Sequence, residues 1–158
     1  MRLSRLLVVA LAVLIFAGGF ISGQVLGQKG STTEDEIRAV MDRYLVARNT
    51  FNADAFMSFF IKSPQLTVVS ATSEYAGWDG LRKGIAPLFE GRSSTVDITD
   101  VRVFQVATNV AVVQHHYSLK TARGTANPSR STKVFYKTAE GWKVIAEHSS
   151  RTPNFVSR

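Results

Sequence analysis

The hydrophobic pattern changes at Thr95, and this change limits the fold more than any other feature of the sequence. Beyond it, four successive segments have the alternation and the β-branched and aromatic content that are typical of strands. These segments span 95–107, 110–120, 130–137 and 142–151. Because the links between them are short, the sequence predicts an antiparallel meander rather than a parallel sheet with helical crossovers.

The residues before this change have helical spacing. Thr33 and Glu36 match the capping-box pattern, and the apolar residues that follow recur at three- and four-residue intervals. A first helix is therefore predicted over 34–50. Residues 28–33 are polar and contain glycine and serine, so they are predicted to be a linker.

Two further helices and one strand are predicted between 51 and 94. Asp54 is the predicted N-cap of a short second helix that extends to Phe60, and a short strand is expected over 66–70. Asp79 is the predicted N-cap of a third helix. Pro87 lies inside that helix and predicts a kink, because proline removes a helical hydrogen bond and clashes with the preceding turn.

The apolar residues of the first long strand do not all lie on one side of an ideal strand. Val96 and Ile98 lie on one side of an ideal strand, whereas Val101 and Val103 lie on the other. A bulge near Thr99 and Asp100 would restore a common apolar face and would bend the sheet. The next strand is apolar on both sides, which predicts that a second copy of the chain covers the outer face.

The N-terminus has the pattern of an export segment. Arg2 and Arg5 precede the apolar run 6–17, as in a secretory signal peptide. Residues 6–26 are also free of charge, and about 20 apolar residues suffice to cross a bilayer as a helix. Residues 1–27 are therefore predicted to be either a signal peptide or a membrane anchor, and both alternatives place the domain 34–151 and the tail 152–158 outside the cytoplasm, secreted, periplasmic or anchored.

Charge and cysteine content exclude several classes of function. The chain has 19 basic and 12 acidic residues, and three of the basic residues lie in the first 30. The remaining basic residues are scattered rather than clustered, so nucleic-acid binding is not predicted. No cysteine is present, which excludes disulfide bonds and thiolate metal sites.

Three motifs resemble those of one superfamily. They are Phe51-Asn52-Ala53-Asp54, Gly77-Trp78-Asp79-Gly80 and the closing strand from Gly141 to Ser150. Together with the order of helices and strands over 34–151, they resemble the SnoaL-like proteins of the nuclear-transport-factor-2-like, cystatin-like superfamily. The resemblance implies an α+β fold in which three N-terminal helices pack on a strongly curved, mixed or antiparallel sheet, forming a cone.

The resemblance also implies one deep, mostly apolar pocket and, often, a homodimer packed through the sheet face. Members of this superfamily include ketosteroid isomerases, polyketide cyclases, dehydratases, epoxide hydrolases and non-catalytic association domains. The residue patterns of these enzymes do not match this chain position by position. A shared fold alone does not identify the reaction.

Three residues are candidates for catalysis. Strict alternation along 142–151 places His148 on the same side as Trp142, facing inward, where an imidazole could exchange protons with a ligand. Asp54 is a candidate buried base, with helix capping as the alternative. Tyr44 is a candidate hydrogen-bond donor to a ligand carbonyl, with core packing as the alternative.

Further residues are candidates for ligand binding. His115 and His116 are adjacent on a strand and face opposite ways, and His116 is the favoured one for the pocket. The predicted apolar lining of the pocket consists of Phe56, Phe60, Trp78 and Phe89. No HxxxH or HxH spacing is present, so no metal site is predicted, and no cofactor is implied.

Two functions follow from these features. One is a pocket for a small, largely apolar molecule, with proton transfer, dehydration or cyclisation as candidate reactions. The other is a non-catalytic homodimeric association module. Contact with a membrane is expected only through the N-terminal segment.

Overall fold

The computed structural model describes residues 32–126 and 128–152. The helices are α1 (Thr33–Asn49), α2 (Ala53–Met57) and α3 (Gly77–Glu90). The strands are β1 (Thr67–Val69), β2 (Glu74–Ala76), β3 (Thr95–Ala107), β4 (Val110–Thr121), β5 (Gly124–Thr125), β6 (Ser129–Thr138) and β7 (Gly141–Arg151). The predicted export segment 1–27 lies outside the described residues. Within the described part of the chain, every helix is too short or too polar to cross a membrane.

The strands form one mixed sheet. Its order is β2-β1-β7-β6-β4-β3, and β5 pairs with β4 beside this path. The pairing of β1 with β7 is parallel, and the other pairings between these strands are antiparallel. The predicted meander is thus formed by β3, β4, β6 and β7. The fold class is confirmed as α+β, while the short strands β2 and β5 were not predicted.

The capping box of α1 begins one residue earlier than predicted. Thr32 Oγ1 accepts a hydrogen bond from the Asp35 backbone N–H at 3.2 Å, and the Asp35 carboxylate accepts one from the Thr32 backbone N–H at 3.1 Å. Glu36 has a different role. Its carboxylate accepts hydrogen bonds from Trp142 Nε1 at 2.7 Å and Lys137 Nζ at 2.6 Å, which ties the start of α1 to β7 and β6.

The starts of α2 and α3 also differ from the predictions. Asn52, rather than Asp54, caps α2, because its side-chain oxygen accepts a hydrogen bond from the Ala55 backbone N–H at 3.0 Å. The helix ends at Met57, before the predicted end. Helix α3 begins at Gly77, without a side-chain cap, and is continuous through Pro87.

The predicted bulge in β3 is confirmed. The register between β3 and β4 shifts between Thr99 and Arg102, and Asp100 has a positive φ of 51°. As a result Ile98, Val101 and Val103 all pack against the core.

A second bulge, in β7, was not predicted. Phe135 pairs with Val144 whereas its neighbour Val134 pairs with Ala146, so Ile145 is the extra residue. Trp142 and Val144 are buried on the inner face, as alternation predicts. Beyond the bulge the parity is reversed, so that Glu147 and Ser149 face inward and His148 is exposed.

The core lies between the helices and the inner face of the sheet. Helix α1 contributes residues at helical spacing, among them Ile37 and Tyr44, and α3 contributes Ile85 and Phe89. Phe135 on β6 is fully buried beneath them. Each such side chain contributes roughly 1.5–3 kcal/mol by leaving water.

Candidate functional site

A group of polar side chains is buried within this apolar core. We call it the interior polar cluster, and it consists of Tyr44, His115, Ser131, Lys133, Glu147 and Ser149. One member lies on α1, and the others lie on the inner faces of β4, β6 and β7. Buried polar and charged groups require partners, so this is the most informative part of the interior.

Strand register brings the cluster together. His115 of β4 is opposite Ser131 of β6, which is opposite Ser149 of β7. Two residues further along β6, and therefore on the same face, Lys133 is opposite Glu147. Because side chains of directly paired residues lie on the same face, the β7 bulge places both Glu147 and Ser149 in this group.

Lys133 and Glu147 form an ion pair in the interior. The side chain of Lys133 is 1 % exposed and that of Glu147 is 11 % exposed. Ser131 and Ser149 each donate a hydrogen bond to Glu147 Oε1, at 3.0 Å and 3.2 Å. Burial acts to raise the pKa of Glu147, but the charge and hydrogen bond of Lys133 and the hydrogen bond of Ser131 outweigh it, so the pKa is lowered and the side chain is a carboxylate.

Tyr44 lies beside this ion pair. Lys133 Nζ is 3.4 Å from the Tyr44 hydroxyl oxygen and 4.7 Å from the centroid of its ring. Burial, followed by the negative charge of Glu147, raises the pKa of Tyr44 well above its usual value. The hydroxyl group therefore keeps its proton and can act as a hydrogen-bond donor.

His115 has an unused polar atom. The residue is 4 % exposed, and its Nδ1 has no hydrogen-bond partner among the residues that the structure describes. Burial, together with the charge of Lys133, lowers the pKa of His115 to about 4. The ring is therefore neutral at neutral pH and offers Nδ1 to a partner.

The predicted site residues are divided among several places. Tyr44 belongs to the interior polar cluster. Phe56 and Phe89 are buried, with ring centroids 5.1 Å apart, and Phe56 is 4.9 Å from Tyr44. Phe60 and Trp78 line a separate cavity near the turn between β6 and β7. The ligand-binding roles of these aromatic residues remain predictions.

The placements predicted for three candidates are wrong. His148 is exposed on the outer face because of the β7 bulge. His116 is also exposed, with Nδ1 3.5 Å from Asp100 Oδ2. It lines a polar cavity of about 230 Å³, whose lining also includes His115 and Ser131 of the interior polar cluster. Asp54 is not a buried base, since its side chain is 82 % exposed and pairs with Arg82 at 2.8 Å. Within the described residues, no group of His, Asp and Glu side chains could hold a metal ion.

Most of the interior polar cluster was not predicted, although the alternation along β4 and β6 indicates two of its members. His115 shares its parity with Ala111 and Val113, both fully buried, whereas His116 shares its parity with the polar Gln114. This contrast favours His115 for the interior. Lys133 likewise lies on the same side of its central strand as Phe135, which is buried. This position indicates that Lys133 faces the interior, where a charge needs a partner.

The architecture defines a class of protein. Three helices on one face of a curved mixed sheet, with polar groups on the inner face, are the features of the cystatin-like, nuclear-transport-factor-2-like fold. The chain belongs to the family of SnoaL-like domains, which it matches over residues 37–154. The resemblance found in the sequence is thereby confirmed.

Solved structures support the same fold. A nuclear-transport-factor-2-like protein of unknown function from Shewanella oneidensis has 23 % identity and a TM-score of 0.66, covering 75 % of this chain and 99 % of its own. A protein from Xanthomonas campestris, named for the association domain of calcium/calmodulin-dependent protein kinase II, has 19 % identity and a TM-score of 0.65, with coverages of 78 % and 91 %. A cystatin-like protein of unknown function from Nostoc punctiforme has 14 % identity and a TM-score of 0.65, with coverages of 79 % and 96 %. No curated protein matches the chain. At these identities the likeness shows the fold alone.

Proposed function

We propose that this domain binds a small, largely apolar molecule whose polar end contacts the interior polar cluster. The observation that carries the proposal is the buried Nδ1 of His115, which has no partner among the described residues. Buried polar atoms are nearly always hydrogen-bonded, and leaving one unpaired costs about 1–3 kcal/mol. A ligand group that pairs with Nδ1 would remove this cost.

The charged members of the cluster support the same proposal. A buried ion pair is rarely a net gain in stability, because desolvation offsets the attraction between its charges. Lys133 and Glu147 are nonetheless retained at 1 % and 11 % exposure. Such groups are useful where a ligand carbonyl or oxyanion must be oriented in an otherwise apolar site.

The protonation states define the chemistry available to this site. Tyr44 and the Lys133 ammonium group are hydrogen-bond donors, and the neutral His115 ring can accept a hydrogen bond at one nitrogen and donate one from the other. These groups can orient a ligand carbonyl or another polar end by hydrogen bonding. Glu147 is a weak base, because Lys133 holds its carboxylate in the ionised form. His115, with a pKa of about 4, is a weak base as well, so we assign ligand recognition, rather than proton transfer, to the cluster.

Native mass spectrometry of the full chain, purified from its host, tests ligand binding. We expect wild-type protein to retain a small molecule. Tyr44→Phe removes the buried hydroxyl with little change in packing and should lower the retained fraction, whereas Tyr136→Phe, on the outer face and 37 % exposed, should not. Wild-type protein that retains nothing and takes up nothing from a host extract would refute the proposal, as would equal retention by the two variants.

We also propose that the domain acts outside the cytoplasm. The support is the charge and hydropathy pattern of residues 1–27. A fusion of residues 1–30 to a phosphatase that requires disulfides tests this, because its disulfides form only in an oxidising compartment. We expect activity from the fusion and its loss on Leu11→Arg, which interrupts the apolar run. Activity that survives this substitution, or an inactive parent fusion, would contradict export.

Association is a second candidate function, favoured by the outer face of the sheet. Phe104, Val112, Val134 and Ala146 form one cross-strand row there. Phe104 is 49 % exposed. An apolar row exposed on a sheet is typical of a face that another subunit covers, so we propose a homodimer through it.

Light scattering coupled to size exclusion tests the dimer. We expect wild-type protein to have the mass of two chains and Phe104→Lys to have the mass of one. Val46→Lys is the matched control, since Val46 is also an exposed apolar residue, at 62 %, but lies on α1. A wild-type monomer, or a Phe104→Lys variant that remains dimeric, would exclude this interface.

A further inference from the structure

A second cavity lies apart from the interior polar cluster, between the residues that follow α2, the first turn of α3 and the turn between β6 and β7. We call it the turn-side cavity. Its volume is about 420 Å³, which is within the range of about 300–1,000 Å³ that is usual for small-molecule sites. Its apolar lining consists of Met57, Phe60, Ile61, Trp78 and Ala139.

Trp78 is held in place at the wall of this cavity. Its Nε1 donates a hydrogen bond to the Met57 carbonyl oxygen at 3.3 Å. Two cations lie near its ring, with Lys62 Nζ 5.3 Å and Arg82 Cζ 5.4 Å from the ring centroid. The indole is thus a fixed, apolar surface, and cation–π attraction keeps positive charge beside it.

The two lysines that line the cavity differ in their partners. Lys143 Nζ donates to the Ser58 carbonyl oxygen at 2.8 Å and lies 3.4 Å from a carboxylate oxygen of Glu140. Lys62 is exposed and forms no ion pair with any residue that the structure describes. Its charge is therefore available to a ligand.

We infer that the turn-side cavity binds a small amphiphilic carboxylate. The apolar part of the ligand packs against Phe60, Ile61 and Trp78, and the carboxylate pairs with Lys62 at the rim. The apolar body of the ligand would thus contact the apolar part of the lining, and its charged end would contact the lysine at the rim. The site is distinct from the interior polar cluster and does not depend on the function proposed for that cluster.

Octanoate is a suitable probe, and 1-octanol is its uncharged counterpart. Heteronuclear NMR of the full chain, following the Trp78 indole N–H during titration, reports binding at this cavity. We expect saturable shifts with octanoate and weaker binding of 1-octanol. Lys62→Met should weaken octanoate binding by about three- to fivefold, the range for losing one partly exposed ion pair, and leave 1-octanol binding unchanged.

Two controls make the result specific. Lys83→Met removes an exposed lysine of α3 that does not line the cavity, and octanoate binding should be unchanged. Tyr44→Phe alters the interior polar cluster and should also leave it unchanged. The inference fails if the Trp78 signal does not shift, if 1-octanol binds as tightly as octanoate, or if Tyr44→Phe weakens binding while Lys62→Met does not.

Discussion

Lys133 and Glu147 lie directly opposite each other on β6 and β7 and form an ion pair next to Tyr44. Both side chains are almost completely removed from solvent, so neither charge has water as an alternative partner. Ser131 and Ser149 supply further hydrogen bonds to the same carboxylate oxygen. The stability of the folded state should therefore depend strongly on both charges being present or both being absent.

Removing one partner of this pair should destabilise the protein severely. Lys133→Met leaves Glu147 buried without its cation, which should lower the free energy of unfolding by about 3–5 kcal/mol. Lys133→Met with Glu147→Gln should recover most of this loss, because the amide oxygen can still accept from Ser131. Urea denaturation of the single and double variants measures the difference.

An exposed ion pair provides the control for that experiment. Lys120 and Asp97 are 2.9 Å apart, with side chains 56 % and 51 % exposed. Lys120→Met should therefore cost less than about 1 kcal/mol. Equal losses for Lys133→Met and Lys120→Met, or a double variant no more stable than Lys133→Met, would show that the buried pair is not strongly coupled.

The pKa of His115 predicts how stability depends on pH. Burial and the charge of Lys133 lower this pKa from 6.5 to about 4 in the folded state. Between these values the unfolded chain binds a proton that the folded chain does not, so stability is retained above pH 6.5 and is lost as the pH falls toward 4. The contribution of His115 to this loss between pH 7 and pH 5 should be about 2 kcal/mol.

Substitution of each histidine isolates this effect. His115→Gln should reduce the loss of stability between pH 7 and pH 5, measured by urea denaturation at both pH values. His116→Gln should keep the wild-type loss, because His115 is still present and His116 lies on the exposed outer face. An unchanged pH dependence in His115→Gln would contradict the assigned pKa.

The sequence predicts one bulge and not the other for a physical reason. In β3, strict alternation would place either Ile98 or Val101 in solvent, and the apolar pattern reveals the extra residue. In β7, Ile145 and Ala146 are both apolar, so either register buries an apolar side chain. The pattern therefore contains no conflict, and the inward direction of Glu147 could be known only from the paired strand.

Other features were predictable to different degrees. The long strands and α1 were predicted to within a few residues, because each has a sustained apolar period. The N-cap of α2 was ambiguous, since Asn52 and Asp54 are both good capping residues. The ion pair of Lys133 and Glu147 joins residues of two strands, and no local pattern records such a pairing.

Asn49 joins the end of α1 to the start of β3. Its side-chain Nδ2 donates to the Val96 carbonyl oxygen at 2.8 Å, and its Oδ1 accepts from the Val96 backbone N–H at 2.7 Å. Asn49→Ala removes both hydrogen bonds and should lower stability by about 2 kcal/mol, whereas Gln105→Ala, which removes one bond to the exposed Ala107 carbonyl oxygen, should have a much smaller effect. Thermal and urea denaturation measure both. Equal effects of the two substitutions would show that the paired bonds to Val96 contribute little.

Two glycines of α3 provide an internal comparison of helix propensity with packing. A Cβ atom on Gly84 would overlap Cε1 of the Tyr75 ring, whereas one on Gly80 would meet no atom within 4 Å. Gly80→Ala should therefore stabilise the protein by about 0.5–1 kcal/mol, the usual gain when alanine replaces glycine in a helix. Gly84→Ala gains the same propensity but must displace the Tyr75 ring, and such overpacking costs about 1–3 kcal/mol, so it should be net destabilising. In a Tyr75→Leu background the penalty of Gly84→Ala should shrink. If Gly84→Ala stabilised the protein as much as Gly80→Ala, the close approach of the Tyr75 ring to α3 would be disproved.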